Sequence, residues 1–83
     1  MKLTADYLNQ KEAQFRKLQG ELLETSRKSK GLSQSAAGNF IGVSKDVISN
    51  FEVGRSNVPP YRLLKLAQLY QKPISFFYNV GSI

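Results

Sequence analysis

Gly31-Leu32-Ser33-Gln34-Ser35-Ala36-Ala37-Gly38-Asn39-Phe40-Ile41-Gly42-Val43-Ser44-Lys45-Asp46-Val47-Ile48-Ser49-Asn50-Phe51-Glu52-Val53-Gly54-Arg55 reads as two short helices joined by a tight turn. The first starts near Ser33 or Gln34 and ends at Ile41. Gly42 supplies its stop, because a residue without Cβ tolerates the left-handed backbone of a helix end. Ser44 caps the second helix, its hydroxyl accepting a backbone N–H of the first turn. Asp46 suits the positive end of that helix dipole. Gly54 closes the helix.

The apolar spacing fits two helices crossing steeply. Phe40, Ile41, Val43, Ile48 and Phe51 are expected to converge on one core. Lys45, Asp46, Ser49, Asn50 and Val53 share the opposite face of the second helix, at positions i, i+1, i+4, i+5 and i+8. That face is polar, short-chained at Ser49 and Asn50, and carries one long cation. Such a face suits base-pair edges in a groove wide enough for a helix.

These residues, with others in order, resemble the lambda-repressor-like helix-turn-helix domain of Xre-type regulators. The match runs through Gly20, Leu23 and Arg27, then Gly31 to Gln34, Gly42 to Ser44, Ile48-Ser49, Glu52, Gly54-Arg55 and Pro59. It continues in Leu64, Leu66-Ala67 and Pro73 to Phe77, so it covers about residues 17 to 78. It implies an all-α, five-helix domain, here with an N-terminal helical extension. It also implies sequence-specific binding of double-stranded DNA.

The chain has 83 residues and a net charge of +6. A single domain of this size buries only about 60–65% of its unfolded surface and folds with a thin margin. The charge is unevenly placed. In residues 1–26 four cations offset Asp6, Glu12, Glu21 and Glu24, whereas residues 27–83 hold eight against Asp46 and Glu52. The whole surplus therefore lies where the motif is, which favours a polyanion partner over a merely solvated basic surface. Cysteine is absent, so no disulfide framework or thiolate metal site is expected. No apolar run is long enough to span a membrane and nothing reads as a signal peptide, so the cytoplasm is the expected location. With no histidine or cysteine, no paired carboxylates and no Gly-rich phosphate loop, neither an enzyme, a metal nor a cofactor is expected.

Residues 1–16 precede the domain, which is expected over 17–78 with a frayed tail at 79–83. Thr4 suits a helix cap, with Tyr7 at the third position. Leu3, Tyr7, Leu8, Phe15, Leu18, Leu22 and Leu23 recur at helical spacing. One helix from Thr4 to Ser29 fits this pattern, but Gly20 inside it costs roughly 1 kcal/mol relative to alanine. A break between Asn9 and Lys17 is therefore expected, followed by a helix over about Lys17–Lys30 with Leu18, Leu22 and Leu23 inward. Cations Arg27, Lys28 and Lys30 suit its C-terminal end, which Gly31 terminates.

Two positions depart from the family pattern: Ser26 where leucine is usual, and Ala37 in the first motif helix. An unfilled gap of that size costs a few kcal/mol. Either Tyr7, Phe15 or Phe40 fills it, or the helices pack closer. After a loop from Gly54, Pro59-Pro60 opens a helix to about Gln71, with Leu63, Leu64, Leu66, Ala67 and Tyr70 inward. Pro73 opens a last short helix to about Tyr78, with Ile74 and Phe77 inward.

By the resemblance, Lys45, Asp46, Ser49 and Asn50 read bases. Asn50 matches adenine bidentately, Lys45 reaches guanine O6 and N7, and Asp46 accepts from a cytosine amino group. Asp46 serves equally well as a plain dipole complement, and Val47 as a packing residue or a thymine-methyl contact. Gln34 and Ser44 stand at helix N-termini, where free N–H groups favour a phosphate. Ser44 can cap and clamp at once. Arg55, Ser56 and Asn57 follow in the loop that touches the same backbone in the family; Arg55 is otherwise a free surface cation. Arg27 and Glu52 match a family ion pair between the first helix and the end of the reading helix. The aromatics Tyr61, Tyr70, Phe76, Phe77 and Tyr78 fit core or dimer contacts better than base stacking.

One module reads few base pairs, so a homodimer on a palindrome is expected, with reading helices about 34 Å apart. The last helix with Phe76 and Tyr78, and the N-terminal extension, are candidate dimer faces. Two other readings fit the sequence: an antitoxin-like module that binds a protein partner as well as DNA, and the N-terminal domain of a longer repressor.

Overall fold

A computed structural model describes residues 4–80. Leu3 and residues 81–83, which entered the readings above, lie outside the described residues. Four α-helices follow in order: α1 (Ala5–Ser29), α2 (Gln34–Ile41), α3 (Lys45–Glu52) and α4 (Pro60–Tyr70), then a 3₁₀ turn, Ile74–Tyr78. The architecture is all-α, as the sequence implies, but the last element is a tight 3₁₀ turn rather than a fifth α-helix.

The expected break before Lys17 is absent. Thr4 caps α1, its Oγ1 accepting the N–H of Tyr7 at 3.2 Å, and the helix runs 25 residues without interruption. Gly20 does not break it because the position is set by tertiary contact. A Cβ there would fall 2.6 Å from the carbonyl oxygen of Phe51 and closer still to that of Glu52. The end of α3 thus rests directly on the backbone of α1, and only glycine leaves room for it.

The core is Leu23, Ala37, Ile41, Ile48, Phe51, Leu63, Leu66, Ala67, Tyr70 and Phe77. Leu22, Val43, Val47, Ile74 and Phe76 pack at its margin. Three residues expected inward are placed otherwise. Phe40 is 55% exposed and Leu64 is 47% exposed, each one helical step off the buried stripe of a short helix. Leu18 is only half-buried.

The fillers expected for the gap at Ser26 and Ala37 stay at or near the surface. Ser26 and Ala37 are both buried, while Phe40 points outward and Tyr7 and Phe15 remain half-exposed. Tyr70 of α4 is among the largest fully buried side chains, and its hydroxyl lies within electrostatic range of Arg27 and Glu52. Burial first, and the Glu52 carboxylate second, push this phenol up to about 12.

Candidate nucleic-acid interface

The motif turn forms as its residues dictate. Ser33 Oγ accepts the N–H of Ala36 at 3.0 Å and opens α2. Gly42 closes α2 with φ of 80°, in the left-handed region that favours glycine. Ser44 Oγ accepts the N–H of Val47 at 3.3 Å and opens α3. Helix α3 packs chiefly on α2 and α1 through Ile48, Phe51 and Glu52.

The opposite face of α3 is left uncovered. Lys45, Asp46 and Val53 are exposed, and Ser49 and Asn50 are half-exposed. The face carries short polar groups flanked by one cation and one apolar tip, Val53. Asn50 is not free, however. Its Oδ1 accepts from Nη1 of Arg55 at 2.8 Å, and its backbone carbonyl accepts from the N–H of Arg55 at 2.9 Å. A residue read as a base contact and one read as a phosphate contact therefore form one unit. The carboxamide keeps a second lone pair on Oδ1 and both N–H donors for a base edge.

Gln34, Glu52 and Arg27 are likewise joined. Arg27 Nε and Nη2 donate to Glu52 Oε2 and Oε1 at 2.7 and 3.0 Å, a bidentate pair buried between α1 and α3. The bond from Glu52 holds the Arg27 guanidinium above its ordinary value, against the opposing effect of burial. Arg27 Nη1 also donates to the Leu32 carbonyl at 2.8 Å. Gln34 Nε2 donates to Glu52 Oε1 at 3.0 Å, which ties the start of α2 to the end of α3. Its second N–H remains for a phosphate. Arg27, Ser33, Gln34, Ser35 and Lys45 line an open pocket of about 360 Å³ beside both helix N-termini. Lys45 and the hydroxyls of Ser33 and Ser35 line it, while the charge of Arg27 is already offset by Glu52.

Ser56 is half-buried and Asn57 exposed in the loop beyond α3. Sequence reasoning missed what holds that loop. Arg16 Nε donates to the Gly54 carbonyl at 3.2 Å, from a residue assigned to the extension. Gln19 Nε2, buried, donates to the Phe77 carbonyl at 3.1 Å and pins the 3₁₀ turn. Arg16 and Gln19 lie one helical turn or less from Gly20, the one hint available. Among the described residues no cluster of His, Cys, Asp or Glu could hold a metal ion, and no helix is long and apolar enough to cross a membrane.

Comparison with known proteins agrees with this geometry. A family model described as helix-turn-helix matches residues 23–77. The chain belongs to the lambda-repressor-like helix-turn-helix family, and by class it is a DNA-binding transcription regulator. Among solved structures it is similar to the P22 c2 repressor protein, crystallised in complex with a synthetic operator. The two share 27% identity with a TM-score of 0.71, over 76% of this chain and 96% of that one. No curated protein sequence matches.

Proposed function

We propose that the chain is a repressor that binds a palindromic operator in double-stranded DNA as a homodimer. The observation that carries this reading is the bare outward face of α3, with Lys45, Asp46, Ser49, Asn50 and Val53 uncovered by the chain. The similar P22 c2 repressor, crystallised with a synthetic operator, supports it. In this reading Lys45 and Asn50 carry most of the base contacts, Ser49 and Asp46 the rest. Gln34, Ser44, Arg55, Ser56 and Asn57 hold the phosphates. Arg27 and Glu52 position α3 and touch no DNA. The site of action is the cytoplasm.

Selection of bound duplexes from a random pool tests this. The expected product is a two-fold-symmetric sequence with half-site centres about 10 base pairs apart. Recovery of no sequence, or of an asymmetric one, overturns the reading. Lys45→Glu is expected to lower operator affinity at least tenfold; unchanged affinity counts against the assigned face. Arg55→Ala weakens all sequences and lowers the salt slope by about 1. Because Arg55 also holds Asn50, the same variant relaxes preference at the base that Asn50 reads.

A further inference from the structure

We propose that Arg16, in the first half of α1, is a positioning residue for DNA binding: it fixes the peptide unit from which Arg55 reaches the phosphate backbone. This rests on the phosphate role proposed for Arg55 and adds what holds that side chain in place. Residue 16 lies outside residues 23–77, the part the family model matches.

The carbonyl of Gly54 and the N–H of Arg55 belong to one planar peptide unit. Its oxygen accepts from Arg16 Nε at 3.2 Å, and its N–H donates to the Asn50 carbonyl at 2.9 Å. The unit is thus held from α1 on one side and from α3 on the other. Its plane sets the direction in which the next residue, Arg55, projects its side chain. The loop also lies directly on α1 at this point. A Cβ on Gly54 would fall 2.8 Å from the backbone N and Cα of Lys17. Arg55 itself is exposed, and its Nη1 donates to Asn50 Oδ1 at 2.8 Å. One route of contacts therefore runs from Arg16, through a single peptide, to a proposed phosphate contact and a proposed base reader.

Arg16 has an alternative partner within its own helix and does not take it. Glu12 stands one turn earlier, at the i, i+4 spacing that suits a surface ion pair. Among the described residues these two form no such pair. The half-buried side chain turns to the loop instead. Its bond uses Nε, not the terminal Nη nitrogens with which a guanidinium grips phosphate bidentately. Glutamine carries an uncharged donor at the same reach, since Cβ, Cγ and Cδ lie between Cα and the nitrogen in both side chains. The lysine nitrogen lies one bond further out. The task assigned to Arg16 needs a donor at that reach and no charge.

Binding of the full chain to the duplex recovered by selection, over a series of salt concentrations, tests this. Denaturant melts verify that each variant is folded under the assay conditions. Arg16→Ala is expected to lower affinity about fivefold in the wild-type chain but less than about 1.5-fold in an Arg55→Ala background, because a residue that acts through another falls silent once that one is gone. Arg16→Gln keeps affinity within about twofold of wild type, since the carbonyl retains its donor. Equal losses in both backgrounds, or rescue by Arg16→Lys where Arg16→Gln fails, make Arg16 a direct phosphate contact and overturn the proposal. A lower denaturant midpoint with unchanged affinity makes the bond structural only and also overturns it. Amide exchange supplies a measurement without DNA. The N–H groups of Arg55 and Ser56, which both donate to the Asn50 carbonyl, are expected to exchange about tenfold faster in Arg16→Ala while that of Ile48 is unchanged. Unchanged exchange at Arg55 overturns the proposal whatever the duplex shows. The two readings fail in different ways. If Arg55→Ala leaves the salt slope unaltered, the phosphate role of the loop falls and the proposal falls with it. If Arg55→Ala lowers the slope but Arg16→Ala leaves affinity unmoved, only the role of Arg16 is lost.

Discussion

From Ala5 to Leu18 no residue of α1 is buried, whereas Gln19, Gly20, Leu23, Ser26 and Arg27 all are. One unbroken helix thus contains two regions under different constraints. The first half is held mainly by local bonds and the Thr4 cap, with one tertiary hydrogen bond near its end, from Arg16 to the Gly54 carbonyl. The second is held by contacts with α3 and the 3₁₀ turn: the Gly20 close approach, the Arg27–Glu52 pair and the Gln19 bond to Phe77. The difference teaches that helix continuity and helix burial are separate facts here. A residue's place in α1 says little about its energetic weight until its partner is known.

Four substitutions test that contrast, from the largest effect down. Arg27→Met strands the Glu52 carboxylate in a buried site and is expected to destabilise by about 3–5 kcal/mol. DNA binding falls with it, because α3 loses its anchor. A denaturant midpoint equal to wild type would remove the distinction between the halves. Gly20→Ala comes next. Helix propensity alone predicts a gain of roughly 1 kcal/mol, but the new Cβ meets the carbonyls that end α3. A net loss of about 2–3 kcal/mol is expected from overpacking, and a gain would mean that the helices part easily.

Tyr70→Phe sharpens the picture beside the Arg27–Glu52 pair. The Tyr70 hydroxyl is buried without a hydrogen-bond partner, so its removal leaves stability at neutral pH within about 0.5 kcal/mol. The phenol is held protonated by the fold, up to about 12 against an ordinary 10. The native state therefore keeps a proton that the unfolded chain releases. Wild-type stability is undiminished by this group below pH 10 and falls as pH rises from 10 towards 12. Thermal melts of the phenylalanine variant should lack that decline. The smallest change is Leu8→Ala in the exposed half, expected to shift monomer stability by no more than about 0.5 kcal/mol. Amide exchange should agree, with protection rising along α1 from Leu8 towards Leu23.

Much of the fold was legible because it depends on local chemistry. Ser33, Gly42 and Ser44 punctuate the motif by capping and left-handed backbone, and each acts on neighbours within four residues. The all-α class and the family followed from these and from apolar spacing. The continuity of α1 was not legible, because the price of Gly20 is set by Phe51 and Glu52, some thirty residues away. Nor were the fates of Phe40 and Leu64, since eight to eleven residues of helix define a stripe edge poorly. At the site, the outward side of α3 could be read from periodicity. The bonds from Arg55 to Asn50, Gln34 to Glu52 and Arg16 to Gly54 could not. Polar side chains carry no period that names a distant partner.

The seat that Gly20 provides for the last carbonyls of α3 has a consequence for how such a molecule can change its target. No side chain separates the two backbones there, so the pitch of α3 does not depend on what decorates its outer surface. Under the proposed function, residues 45, 46 and 49 are then free to vary on a fixed mount. Only position 50, tethered to Arg55, must be exchanged together with its neighbour.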